Sequence, residues 1–165
     1  VAVQFFGGRN DLDKSDFHTK ATVEILKAFV DNHDAQYTRT ALFQHTETAL
    51  EALEDLDFKG SKSLISICDG RDNDSDKPDS AVIRIQDKPL TRYSIGIKAD
   101  RFKREDIRDV ASRTSTMYVV DEISDLEEYL EELENRLTRR YNLHYTRSNQ
   151  LLESAQLIKF RMKVK

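Results

Sequence analysis

The stretch SLISICDGRDNDSD, residues 63–76, decides how this sequence is interpreted. A continuous apolar run ends at Cys68, and four aspartates follow within the next eight positions. An uninterrupted apolar strand is typical of a parallel sheet that is covered on both faces. Ligands of such sheets bind at the carboxyl ends of the strands. Asp69, directly after the strand, is therefore the first candidate for a functional residue.

The composition limits the classes of function. The chain has 165 residues, of which 38% are hydrophobic and 34% charged, and its formal net charge is -4. That length suits one domain with its own core. No cluster of Lys and Arg stands out, which argues against nucleic acid as the main partner. No apolar run approaches the roughly 18 to 20 residues that span a bilayer.

The single cysteine, Cys68, excludes an intrachain disulfide. Because it lies inside an apolar strand pattern, we expect a buried and unreactive thiol.

Strand and helix patterns alternate through most of the chain, which predicts an α/β fold. We expect a Rossmann-like three-layer sandwich with a mainly parallel sheet. The strand patterns cover residues 1–6, 64–68, 93–97 and 117–120, and the helical patterns cover 21–30, 41–56 and 105–112. Residues 9–20 are typical of a loop, and residues 80–85 fit either a helix or a strand.

The last predicted helix has the strongest pattern. Ser124 is its expected N-cap, because Glu127 three residues later completes a capping box. Leucines then repeat on one face at positions 126, 130, 133 and 137. This spacing is typical of a helix that packs on a core.

Near the end of the chain, the spacing of the apolar residues changes from helical to alternating. Residues 158–164 alternate between apolar side chains and Lys or Arg, as in a strand with one buried face. Residues 143–145 are the expected partner, which would make a C-terminal antiparallel strand pair. We therefore divide the chain into a main domain, residues 1–142, and a β-strand extension, residues 143–165, packed on or beside it.

Two kinds of acidic-loop site do not fit residues 69–76. A calcium loop of the EF-hand type needs Gly at its sixth position and Glu at its twelfth. Counting from Asp72, these positions hold Lys77 and Ile83. A phosphatase of the haloacid dehalogenase type requires Asp-x-Asp after the strand, and Arg71 occupies the place of the second acid.

Four segments, in the right order, resemble the von Willebrand factor type A (VWA) domains. LISICDGRDNDS, residues 64–75, is similar to the apolar strand and Asp-Gly of that family. TRTALFQHTETALEAL, residues 38–53, is similar to the segment in which a metal-site threonine opens a helix. YSIGIKADRFKREDIRDVAS, residues 93–112, resembles the next strand and helix, and VAVQFFGGRNDL, residues 1–12, resembles the second strand.

The resemblance implies a metal-ion-dependent adhesion site that normally holds Mg²⁺, with Ca²⁺ or Mn²⁺ as substitutes. By analogy, Thr40 and Asp69 would be metal ligands, and Gly70, Arg71 and Asp72 would form the ligand-facing rim. Hydroxyl and carboxylate oxygens are the ligands that such hard cations prefer. The resemblance further implies that a partner protein contributes an acidic side chain to the ion.

The chain departs from the family at its amino end. The first strand and the Asp-x-Ser-x-Ser motif that follows it are absent, so residues 1–142 would form a partial VWA-like domain. A parallel sheet without a central strand exposes backbone donors and acceptors. We therefore expect a second polypeptide or a missing N-terminal segment to supply that strand and the rest of the metal shell.

The preferred function is a non-enzymatic protein-binding module in adhesion, reception or assembly. We expect an extracellular, periplasmic or cell-surface protein, with the cytoplasm as the alternative. Two other functions stay open: a phosphoesterase-like hydrolase that uses Asp69, and a regulatory VWA subunit of an ATP-driven complex.

Simpler roles also stay open for the single residues. Thr40 fits an N-cap of the helix from Ala41, and Asp69 a turn former. The aspartates at 72, 74 and 76 fit a solvated loop, and His45 a surface position.

Overall fold

The computed structural model describes residues 1–34 and 37–138. Its strands are β1 Gln4–Phe6, β2 Leu12–Lys14, β3 Ser63–Cys68, β4 Thr91–Ile97 and β5 Met117–Val120. Its α-helices are α1 Val23–Asp31, α2 Leu42–Asp55, α3 Pro78–Asp87, α4 Arg104–Val110 and α5 Leu126–Thr138. The predicted α/β fold is confirmed. No helix within the described ranges is long and apolar enough to cross a membrane.

The central sheet consists of β3, β4 and β5 in that order, and both pairs are parallel. Ile67 lies opposite Ile95, and Ile95 lies opposite Tyr118. Parallel neighbours need a crossover connection. Helix α3 makes the first crossover and α4 the second. The carboxyl ends of the three strands therefore meet at one edge.

Helices pack on both faces of this sheet and make three layers. On one face, apolar side chains of α2, α3 and α4 pack against Leu64 and Cys68 of β3. On the other face, Leu133 of α5 packs against Tyr93 and Tyr118. The expected three-layer arrangement follows directly from these two cores.

The amino-terminal strand differs from its prediction. Strand β1 is half-buried, and it pairs with β2 in an antiparallel hairpin outside the parallel sheet. Strand β2 lies within residues 9–20, where a loop was expected. The Gly7–Gly8 turn explains the difference, because Gly7 N–H donates to the Asp11 carbonyl and Asp11 N–H donates to that of Gly8, each at 2.9 Å. These bonds return the chain beside β1.

The hairpin turn is fastened to α2. The Gly7 carbonyl accepts a hydrogen bond from Ala41 N–H at 2.7 Å, and the Gly8 carbonyl accepts one from His45 Nε2 at 2.9 Å. His45 is only 3% exposed. The expectation of a surface histidine is wrong, because its partner lies 37 residues away and leaves no local sequence pattern.

The sequence pattern alone did not locate the starts of α3 and α5 correctly. Residues 80–85 belong to α3, which begins at Pro78, a residue suited to the first helical turn. Ser124 does not cap α5, because it lies inside a short 3₁₀ turn over Ile123–Asp125. Glu122 begins that turn, and its N–H donates to Asp125 Oδ2 at 3.3 Å. The predicted strand pair in residues 143–165 lies outside the described residues.

A buried arginine joins the start of β4 to two helix ends. Arg92 is 4% exposed. Its Nε donates to the Val110 carbonyl at 2.9 Å, and Nη1 donates to the carbonyls of Lys88 and Leu90 at 2.9 and 3.1 Å. The fork of guanidinium donors thus satisfies acceptors after α3 and at the end of α4.

We expect Arg92→Lys to lower the free energy of unfolding by about 2 kcal/mol, because one ammonium group cannot reach all three carbonyls. Urea unfolding followed by circular dichroism measures the change. Arg113→Lys is the matched control, since Arg113 is exposed and its change should stay within about 0.5 kcal/mol. Equal changes in the two variants would contradict a structural role for the Arg92 fork.

Candidate ligand-binding site at the carboxyl edge of the sheet

A small cleft lies beyond the carboxyl ends of β3 and β4. Its volume is about 190 Å³, and most of its lining is polar: Thr38, Asp69, Arg71, Asn73, Ala99 and Arg101. Pockets for small molecules commonly measure about 300–1,000 Å³. This cleft therefore suits one side chain of a partner better than a metabolite or a large cofactor.

The structure brings together the two loops that carry the predicted metal ligands. Asp69 is exposed and lines the cleft. The Thr40 carbonyl accepts hydrogen bonds from Asn73 N–H at 2.9 Å and from Asp74 N–H at 3.1 Å, while Thr40 N–H donates to Asn73 Oδ1 at 2.9 Å. Asn73 itself lines the cleft. The Thr40 loop and the loop after Asp69 therefore meet at one edge of the sheet.

Asp72 caps helix α2 from across the chain. Its Oδ2 accepts hydrogen bonds from Phe43 N–H at 3.0 Å and from the Ser75 hydroxyl. Ser75 Oγ in turn accepts from Gln44 N–H at 3.1 Å. The first N–H groups of a helix have no partner within it, so these acceptors complete the helix start. The alternative of Thr40 as the cap is wrong, because Ala41 holds that position.

Asp74 ties the same loop to two others. Its Oδ2 accepts from Arg9 N–H at 2.8 Å, and its Oδ1 accepts from Arg39 Nη1 at 3.2 Å. The backbone hydrogen bond and the guanidinium groups lower the pKa of the Asp74 carboxyl. The expectation of a solvated loop is wrong for Asp72 and Asp74. It fits Asp76, which is exposed.

The turn after β3 depends on a glycine. Gly70 has a φ of 79°, and a Cβ at this position would lie 2.2 Å from the Phe102 ring. Its carbonyl accepts from Lys103 N–H at 2.8 Å, and its own N–H donates to Cys68 Sγ at 3.4 Å. Burial raises the pKa of the Cys68 thiol to about 12, which favours the protonated thiol at neutral pH, and the residue is half-buried.

Only one of the three predicted rim residues, Arg71, lines the cleft. Gly70 is buried beneath Phe102, and Asp72 turns toward α2. Sequence reasoning missed Arg101, which also lines the cleft. Its position four residues after β4 was a usable signal, because the ends of neighbouring parallel strands share one edge.

The described side chains alone do not fit a divalent cation. Residues 1–34 and 37–138 contain no group of three or more His, Cys, Asp or Glu that could hold a metal ion. Mg²⁺ prefers an octahedral shell of oxygens, and Thr40 and Asp69 would supply two of them. Two guanidinium groups line the same cleft, and their positive charge opposes a second cation there.

Comparison with known proteins identifies the architecture. The family model of the von Willebrand factor type A domain matches residues 9–134. Two solved structures of proximal thread matrix protein 1 from the mussel byssus align with a TM-score of 0.60 and 19% identity. They cover 80% and 82% of this chain. This chain spans about a third of their length, 33% and 34%. No curated protein matches the sequence significantly.

We expect Asp72→Ala to lower the free energy of unfolding by about 1 to 2 kcal/mol, because Phe43 N–H and the Ser75 hydroxyl lose their acceptor. Chemical unfolding in urea measures the loss. Asp76→Ala removes a carboxylate from the same loop without touching the helix, so it should change stability little. A loss of similar size in Asp76→Ala would show that loop charge, and not the cap, is responsible.

Asp74 should make the fold sensitive to acid. Its pKa in the folded chain is lowered, so its contribution is present above the unfolded pKa, about 3.9, and is lost as pH falls through the lower folded value. Unfolding followed from pH 7 down to about pH 3 should show a steeper loss in the wild type than in Asp74→Asn. Parallel curves for the two proteins would exclude this linkage.

Proposed function

The chain belongs to the von Willebrand factor type A domain family, and we propose that its cleft receives an acidic side chain of a partner protein. Domains of this family generally serve as protein-interaction modules. The observation that carries the proposal is the junction of Thr40 with Asn73 and Asp74. It fixes two loops around a polar cleft at the carboxyl edge of a parallel sheet, the usual ligand position in this architecture.

The size and charge of the cleft support this ligand. About 190 Å³ accommodates one side chain. Among the described residues, the charged side chains that line the cleft are Arg71, Arg101 and Asp69, so their formal charge is positive by one unit (two cations minus one anion). A carboxylate neutralises that charge, whereas a lysine or arginine of the partner would add to it.

Mg²⁺ at this edge, with Ca²⁺ or Mn²⁺ as substitutes, stays a prediction. Thr40 would offer a hydroxyl and Asp69 a carboxylate, and the remaining oxygen ligands would come from outside the described residues. When bound, the ion would supply a positive charge and an open coordination position for the partner's carboxylate.

The open edge of β3 supports a second contact. Within the described sheet β3 has one strand neighbour, β4. Ile65 and Ile67 of β3 are 38% and 36% exposed, beside Tyr93 and Ile95 of β4 in register. We propose that a strand from a second polypeptide, or from a segment outside the described residues, adds to this edge. Strand addition would pair with the backbone of residues 64–68 and cover the two isoleucines.

An extracellular, periplasmic or cell-surface location belongs to the same proposal. Its support is the fold shared with a protein whose name describes a thread matrix of the mussel byssus. The strand-end hydrolase and the regulatory subunit of an ATP-driven complex stay untested predictions.

The proposal predicts that the full chain binds a blocked pentapeptide with one central glutamate, and not the same peptide with glutamine. Nuclear magnetic resonance of the ¹⁵N-labelled chain in buffer with Mg²⁺ measures this. The amide signals of Thr38, Asp69, Asn73 and Arg101 should shift, because these residues line the cleft. Equal shifts with the glutamine peptide, or none with either, would refute the assignment of an acidic ligand.

A metal contribution has its own signature in this titration. If an ion completes the site, Mg²⁺ raises the affinity for the glutamate peptide, and both Thr40→Ala and Asp69→Ala remove that increase. Asp76→Ala is the matched control, because it removes an exposed carboxylate of the same loop. An affinity that is independent of Mg²⁺ in the wild type would argue against the ion and leave the protein-binding role intact.

A further inference from the structure

Within the described residues, neither arginine of the cleft forms an ion pair, whereas five other arginines do. Ion pairs or buried hydrogen bonds engage the majority of the arginines in the described ranges: Arg9, Arg39, Arg84, Arg92, Arg108 and Arg136. Arg71 is half-buried, and its Nε is shielded from solvent without a hydrogen-bond partner among the described residues. A buried donor without an acceptor is rare in folded proteins and is unfavourable. An acceptor brought by a ligand would remove this penalty.

We propose that Arg71 and Arg101 bind the carboxylate of the partner directly, so that the cleft is an anion site that works without a metal ion. The proposal rests on the proposed function and names the groups that recognise the acidic side chain. Guanidinium donors are arranged as a planar fork that matches the two oxygens of a carboxylate. With a small movement of the Arg71 side chain, binding would give its shielded Nε the acceptor that it lacks among the described residues.

The backbone on both sides of Arg71 is held in place before any ligand arrives. On one side, Gly70 is fixed by its left-handed conformation and by the bond from Lys103 N–H to its carbonyl. On the other side, Asp72 N–H donates to Asp106 Oδ2 at 2.8 Å. A site whose parts are already ordered loses less entropy on binding. Arg71 is therefore the anchor of the site, and the exposed Arg101 adds charge beside it.

Asn73 adds a neutral donor to the two cations. Its Oδ1 is occupied by Thr40 N–H at 2.9 Å, and its Nδ2 has no hydrogen-bond partner among the described residues. Because Asn73 lines the cleft, this amide can donate to a bound oxygen. The hydrogen bond to Thr40 fixes which end of the amide is free.

Asp69 limits the charge of the ligand. Its carboxylate lines the same cleft and disfavours a ligand that carries two negative charges. A carboxylate with one charge balances the two arginines and Asp69, whereas a phosphate with two charges overcompensates them. The cleft therefore favours an acidic side chain over phosphate groups.

The test uses the full ¹⁵N-labelled chain in EDTA with the glutamate pentapeptide. We expect binding without metal and a shift of the Arg71 Nε–H signal. Arg71→Lys, which keeps the charge and loses the fork, should weaken binding about tenfold, the loss of one charge-assisted hydrogen bond. The control Arg113→Lys should stay within about twofold, because Arg113 lies at the opposite end of the sheet, beside Ser112, which is bonded to Arg92. Unchanged β3 amide signals would show that each variant is folded.

Four results would overturn the arginine site. Binding that requires Mg²⁺ would assign the carboxylate to the ion and leave the proposed function standing. Binding in EDTA that Arg71→Lys does not weaken would place the peptide elsewhere. Displacement of the peptide by inorganic phosphate at a lower concentration than by acetate would assign the cleft to phosphate groups. Failure of the peptide to bind both with Mg²⁺ and in EDTA would refute the proposed function as well.

Discussion

The hydrogen bond from Phe43 N–H to the Asp72 carboxylate is the interaction on which the arrangement of the cleft depends. Helix α2 begins after Ala41, whose side chain cannot accept a hydrogen bond. Its first amides therefore need acceptors from elsewhere in the fold. Asp72 and Ser75 supply them, and this requirement holds the loop after β3 against the start of the helix. The cleft is formed by the outer side of the loop whose inner side completes α2.

The same loop joins three parts of the chain that are distant in sequence. Asn73 and Asp74 donate to Thr40, and Asp74 accepts from Arg9 and Arg39. The hairpin turn, the segment before α2 and the strand end therefore share one hydrogen-bonded network, in which each member restricts the others. A ligand in the cleft would meet side chains whose backbone is already positioned. This order is useful to a recognition module, since less conformational entropy is lost on binding.

Local patterns predicted the elements of this fold, and long-range contacts decided its details. Strand β3 and helix α2 were recognisable because apolar runs and helical spacing are properties of neighbouring residues. Strand β2 was not, because Leu-Asp-Lys becomes a strand only when the glycine turn returns it beside β1. The burial of His45 and the capping by Asp72 depend on partners 37 and 29 residues away. Family resemblance pointed to Asp69 and Arg71, which line the candidate cleft, but neither resemblance nor periodicity indicated Arg101 or the engagement of Asp72.

The charge of the cleft bears on both ways in which it could bind a partner's carboxylate, through a metal ion or through the arginines. Asp69 is its only carboxylate among the described residues, and Arg71 and Arg101, which form no ion pair in that part of the chain, line the same cleft. The two guanidinium groups repel a divalent ion, so an ion could enter only with further anionic or oxygen ligands. Both modes would present positive charge to the partner's carboxylate. The two modes differ in how they orient the ligand. The arginine fork fixes the plane of the bound carboxylate, whereas an ion fixes mainly its distance from the carboxylate oxygen. A cleft anchored by Arg71 would therefore select the orientation of the acidic side chain together with its charge.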